Sequence, residues 1–218
     1  MAQMSAIRKV MLGSVVGALV APAGAAALME SVPKAESTAK PSCPNNPCLA
    51  ISRTIGYQAK VGTDRGLMTV PRKGRIVSWT ITLSKPGTKQ IEFFDSKLGG
   101  PSEASIAVLR FGKKLRARVV SVAPSVKLKP YFGRTVEFAL TKSIPVEKGN
   151  VIALSVPTWA PALSVNHGSD TSWRASRKRG SCDDTQTQTA FGMNEIPQFY
   201  CLYRTAQITY SARVISTP

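Results

Sequence analysis

The chain has 218 residues and a formal net charge of +17, a length that predicts one domain rather than several. Its 16 Gly and 15 Pro are spread between apolar runs, which argues against a low-complexity or collagen-like chain and for many short strands. Only 12 Asp and Glu offset 29 Lys and Arg, so an acidic or electrostatically neutral surface is excluded and anionic surroundings are implied.

The N-terminus reads as a secretory signal peptide over residues 1–27. Arg8 and Lys9 form the positive region, Val10 to Val20 the apolar run, and Ala23-Gly24-Ala25 or Ala25-Ala26-Ala27 the cleavage site. The apolar run is too short for an ordinary spanning helix, and Pro22 interrupts it. Removing Arg8 and Lys9 lowers the charge by two, to +15. Residues 28–42 are rich in Ala, Glu, Lys, Ser, Thr and Pro and read as a flexible linker. Residues 43–218 then form one folded domain.

Within that domain Leu49 to Val61 is a first strand, and Leu67 to Val70 a short one. From Ile76 to Leu83, Val77, Trp79, Ile81 and Leu83 alternate with smaller or polar residues, so these four should face a core anchored by Trp79. Ile91 to Phe94 is a further strand. Ala104 to Phe111 and Ala117 to Val122 read as a hairpin with a basic tip at Gly112-Lys113-Lys114. Thr135 to Leu140 alternates again, with Val136, Phe138 and Leu140 together. Val151 to Val156 is the most regular apolar strand. A bend at Pro157 to Pro161 follows it, then an extended stretch at Ala162 to Val165. Asn166 to Gln198 is a long polar excursion, and Phe199 to Tyr203 with Ala206 to Ile215 close the chain. No window carries a 3.6-residue apolar stripe, so the expectation is an all-β, antiparallel β-sandwich of about eight to ten strands.

Cys43, Cys48, Cys182 and Cys201 make an even set, which in an exported chain implies two disulfides. Three connectivities are open. Cys43–Cys48 with Cys182–Cys201 is favoured because each pair brackets a polar or turn-rich segment, and the second would pin the long loop. A zinc site competes poorly, because neither pair has the two-residue spacing such sites use.

Four candidate sites stand out. His167, with Ser169 and Asp170 nearby, is a weak nucleophilic constellation without the Gly-x-Ser-x-Gly elbow. Glu92, Asp95, Glu103 and Glu137 lie near strands, but nothing pairs them as a glycosidase needs. Asp183-Asp184 is a minimal calcium-binding candidate; otherwise no cofactor and no metal is expected. Trp173, Arg174, Arg177, Lys178 and Arg179 join one aromatic ring to four cations, the chemistry that stacks on sugar and grips carboxylate or phosphate. Arg110, Lys113, Lys114, Arg116 and Arg118 form a second basic patch on the hairpin. A shared face for the two patches would make an anion-binding surface.

Pro71-Arg72-Lys73-Gly74-Arg75-Ile76-Val77-Ser78-Trp79, a later Ile144-Pro145-Val146-Glu147-Lys148-Gly149-Asn150-Val151, and a long loop closed by cysteines resemble secreted bacterial jelly-roll β-sandwich proteins. The resemblance is architectural and covers roughly Ile51 to Val214. It implies carbohydrate binding at a sheet face or a loop end, although a row of exposed aromatics is missing and aromatic content is only 7%. The expectation is therefore a secreted or cell-wall-associated, non-enzymatic binding module for an anionic polymer such as a wall glycan, with no specific nucleic-acid partner. A polysaccharide- or wall-acting hydrolase and a structural surface domain without a small ligand are the alternatives.

Overall fold

A computed structural model describes residues 27–35 and 37–216. The expected leader falls outside the described residues, apart from Ala27. The strands are β1 (Leu28–Val32), β2 (Ile51–Val61), β3 (Asp64–Arg65) and β4 (Gly74–Thr82), followed by helix α1 (Thr88–Lys97). Then come β5 (Glu103–Phe111), β6 (Ala117–Val122), β7 (Val126–Lys127), β8 (Thr135–Val146), β9 (Val151–Ala160) and β10 (Leu163–Val165). The chain ends with β11 (Ser172–Ala175), β12 (Cys201–Arg204), β13 (Ala206–Ile208) and β14 (Tyr210–Ser216).

The result is an all-β antiparallel sandwich of jelly-roll type. One sheet runs β1-β14-β4-β8 and the other β12-β11-β2-β9-β5-β6, with β3 beside β2 and β7 beside β5; β10 and β13 form a separate ribbon. Strand β9 sits between β2 and β5, and its first six residues are all buried, as a strand covered on both faces must be. Trp79 of β4 lies in the main core at 1% exposure. The bend expected at Pro157 does not end β9. A register shift against β2 between Thr54↔Val156 and Ser52↔Trp159 places Pro157 in a bulge, where its missing N–H costs no ladder bond.

The alternation in β4 is interrupted in the same way. Its pairing with β8 jumps between Ile76 and Ser78, and its pairing with β14 jumps at the same place. One surplus residue reverses the facing of everything before it. Ile76 is therefore fully buried and Val77 only half-buried, the reverse of the expected order.

Ile91 to Phe94 lie in α1 and not in a strand. Gln90 Oε1 accepts from the Gly87 N–H at 2.8 Å and caps the first turn. Phe94 and Leu98 share one face at i and i+4 and pack with Cys43 and Trp159 in a small second core. Residues 28–32, expected within a linker, form β1 and pair with β14 along Leu28↔Ser216 to Val32↔Ala212. The supposed polar excursion also contains a strand: β11 lies between β2 and β12.

Both favoured disulfides are present, Cys43–Cys48 and Cys182–Cys201, and no free cysteine remains to hold zinc. The second pins the long loop that follows β11. Two disulfides suit an oxidising compartment. No helix among the described residues is long and apolar enough to cross a membrane.

Candidate anion-binding surface

The five expected contact residues separate into an inner and an outer group. Trp173 sits on β11 opposite Tyr203 of β12, and its alternation turns it inward to 6% exposure. The two rings stack with centroids 4.5 Å apart and planes 23° apart. Trp173 thus closes one end of the core and has no face left for a sugar. Arg174 is half-buried and donates from Nη1 to the carbonyls of Phe199 and Tyr200, at 3.1 and 2.9 Å.

Arg177 is more deeply placed, at 2% exposure. Its Nη2 donates to Ser52 O at 3.0 Å, and its Nη1 to Thr187 O at 3.3 Å and to Asp184 O. Carbonyls solvate this cation instead of a carboxylate, and burial holds its pKa below the ordinary arginine value. Ser176 beside it accepts from the Ile55 N–H at 2.8 Å and donates to Thr189 O. The segment Ser176-Arg177 therefore ties the disulfide-pinned loop to β2 and does not face ligand.

Lys178 and Arg179 are exposed, immediately after this anchor. Arg179 Nε donates to Tyr200 Oη at 3.1 Å, and its guanidinium carbon lies 5.4 Å from the centre of the Tyr200 ring. The backbone running into Tyr200 is joined to the basic hairpin. Phe199 N donates to Leu115 O at 2.8 Å, Arg116 and Gln198 form a β-bridge, and Gln198 Nε2 reaches Lys114 O. Phe199 points into the core while Gln198 and Tyr200 remain half-exposed on either side. Three consecutive residues thus connect the hairpin cations Lys113, Lys114 and Arg116 to Lys178 and Arg179.

The hairpin tip is held in an unusual backbone. Lys114 and Leu115 both have positive φ, 55° and 58°, and Arg116 N donates to Lys113 O across them. This is a type I′ turn, which matches the twist of the strands but normally takes Asn or Gly. Two side chains are held where only small or amide residues sit easily, and the lysine is aimed outward at the tip.

Among the described residues no ion pair engages these cations. The ion pairs among the described residues are Arg72–Glu30, Lys73–Glu147 and Arg213–Glu137, none of which involves these cations. Arg118, inward of the tip, donates to Asn194 O at 3.1 Å and fastens the following loop to β6.

The remaining candidates do not assemble into chemistry. His167 Nε2 lies 2.9 Å from Ser164 Oγ, and among the described residues no hydrogen bond joins it to Ser169 or Asp170. Asp95 Oδ1 accepts from Trp159 Nε1 at 2.8 Å, and Glu137 pairs with Arg213 at 2.9 Å, so both are occupied in holding elements together. Asp184 accepts from Thr187 N at 3.0 Å and from Thr187 Oγ1. Those hydrogen bonds lower its pKa, and the carboxylate closes a local turn. Among the described residues no group of three or more His, Cys, Asp or Glu converges as a metal site.

β6 and β8 are the last strands of their sheets, and an apolar groove of about 660 Å³ opens between them. The shared face of Val136, Phe138 and Leu140 was readable, but its facing strand was not. No protein-family model, curated protein or solved structure matches the chain.

Proposed function

We propose that this protein is an exported, non-enzymatic binding module for an anionic polymer of the wall or extracellular-glycan kind. The observation that carries the reading is the adjacency of the two basic patches across residues 198–200, with none of their cations in an ion pair among the described residues. Lys113, Lys114, Arg116, Lys178 and Arg179 supply the charge, and Tyr200 supplies an aromatic ring beside them. Trp173, Arg174 and Arg177 act behind this surface by holding the loop. The resemblance to secreted bacterial sandwiches, the leader-like N-terminus and the two disulfides support an extracellular setting.

The test is binding of the oxidised protein to purified cell-wall and acidic-glycan preparations, titrated with salt. Saturable binding that weakens steadily with salt is expected, because exposed charges are screened within about 10 Å at ordinary ionic strength. Replacing Lys113, Lys114, Lys178 and Arg179 together by Ala should weaken binding and flatten its salt dependence. Unchanged binding by that variant, or no binding by the parent protein at low salt, rejects the reading.

A further inference from the structure

The groove between β6 and β8 has a chemistry different from the basic surface. Its floor comes from Trp79, Phe138, Leu140 and Ile144 on one sheet and from Val120 and Val122 on the other. Among the described residues no Asp or Glu lines it, and its two charged lining residues are Arg75 and Lys142. Lys142 is exposed and takes part in no ion pair among the described residues, while Arg75 is held in place by bonds to Ser143 Oγ and Ser143 O, both at 2.7 Å. Met193, at 63% exposure, also lines the opening, where a flexible thioether adapts to an apolar guest. A volume of this size lies within the usual range for small-molecule sites.

Two bulges shape the opening. On β8 the pairing with β4 goes from Ala139↔Ser78 to Ile144↔Ile76, five steps against two, so Leu140 to Ser143 leave the ladder and line the groove. On β6 the pairing with β5 goes from Ser121↔Val108 to Val119↔Leu109, which leaves Val120 as the surplus residue. Val120 also lines a separate depression of about 490 Å³, whose charged lining residues are Arg110, Glu147 and Lys148. Bulges break an edge for strand addition and re-aim side chains, so this edge suits a small apolar guest better than an added peptide strand.

From the apolar floor and the acid-free cationic rim we infer that the groove binds a single aliphatic chain carrying an anionic head, a long-chain carboxylate. The chain lies between the sheets and the head meets Lys142 and Arg75. This site shares none of the five cations assigned to polymer binding, so the two readings stand or fall separately.

The test is titration of the intact oxidised protein with dodecanoate below its micelle-forming concentration. Dodecanol, phosphatidylglycerol vesicles and a measurement of oligomeric state run alongside. Saturable binding of one dodecanoate per chain, weaker binding of dodecanol, and a loss of about twofold to fivefold in dodecanoate affinity for Arg75→Ala with Lys142→Ala are expected. Leu140→Asp should abolish binding. Met193→Asp, at an exposed loop position that does not threaten folding, should weaken it. Binding only above the micelle-forming concentration, or only to vesicles, overturns the inference. So does equal binding by the folded Met193→Asp and Leu140→Asp variants, or a dimer whose formation hides the groove.

Discussion

Arg177 Nη2 donates to the carbonyl of Ser52 across 3.0 Å, and both residues are buried. The guanidinium also serves the carbonyls of Thr187 and Asp184, so one side chain closes the loop between β11 and β12 onto β2. Removing it strands carbonyls that water reaches poorly. Arg177→Met should lower stability by about 2 kcal/mol or more, since each buried polar group left without a partner costs about 1–3 kcal/mol. Lys178→Ala and Arg179→Ala should stay within about 0.5 kcal/mol, as exposed substitutions usually do. Denaturant midpoints of the three variants measure both effects, and affinity for acidic glycan is read alongside. A stable Arg177→Met variant that has lost glycan binding would place Arg177 at the contact surface after all.

Gly74 lies between two partner strands of one sheet, paired with Ser216 and Val146. Gly74 opens β4 opposite Ser216 of β14, and a Cβ built there would lie 2.4 Å from the Ile215 carbonyl oxygen. The obstruction is backbone within a paired strand, so relief requires β14 to move and to carry β1 with it. Gly74→Ala should cost about 1–3 kcal/mol, the usual range for overpacking. Gly87→Ala is the control: its φ is −72°, and a Cβ built there would lie 3.7 Å from its nearest neighbour, Gln90 Oε1. Thermal unfolding of the two variants gives the comparison, and equal melting temperatures would remove the claim of close approach.

These two residues also mark what was readable beforehand. The turn residues Gly112-Lys113-Lys114 located β6 at its full extent, and a continuous apolar run located most of β9, because a strand covered on both faces keeps apolar residues at every position. In the sequence Gly74 is only a glycine ahead of an apolar strand, and its reason is a neighbouring carbonyl that belongs to residue 215. Arg177 looked like a surface cation, since a charged run with one aromatic carries no mark of which member is solvated by carbonyls. Helix α1 escaped because its apolar face is short: Phe94 and Leu98 suffice only against Trp159, which lies far along the chain. The bulge at Val77 reversed a facing that strict alternation predicted, and no local signal announces a surplus residue. The basic surface was half legible. Both patches were visible in sequence, but their adjacency depends on hydrogen bonds from residues 198 and 199 to the hairpin.

Two half-buried phenols, Tyr57 and Tyr203, and one buried phenol, Tyr210, make stability depend on alkaline pH. Burial raises the pKa of Tyr57, against a smaller lowering by Arg174, and raises that of Tyr203, against a smaller lowering by Arg177. Tyr210 is fully buried, and burial pushes it well above its ordinary value of 10.0. Its hydroxyl donates to Ile152 O at 2.9 Å, a bond the phenolate cannot make. A folded-state pKa above the unfolded one means the unfolded chain releases protons first. The stability held by these groups is therefore complete below about pH 10 and is lost as pH rises from there toward the folded-state values. Tyrosinate absorbance should show some of the five tyrosines titrating late and together with unfolding. Tyr210→Phe should cost about 1 kcal/mol at neutral pH through the lost hydrogen bond. It should also flatten the alkaline fall, so that the two stability curves converge above about pH 10. Parallel curves for the parent and the variant across that range would show that Tyr210 does not contribute to the alkaline transition.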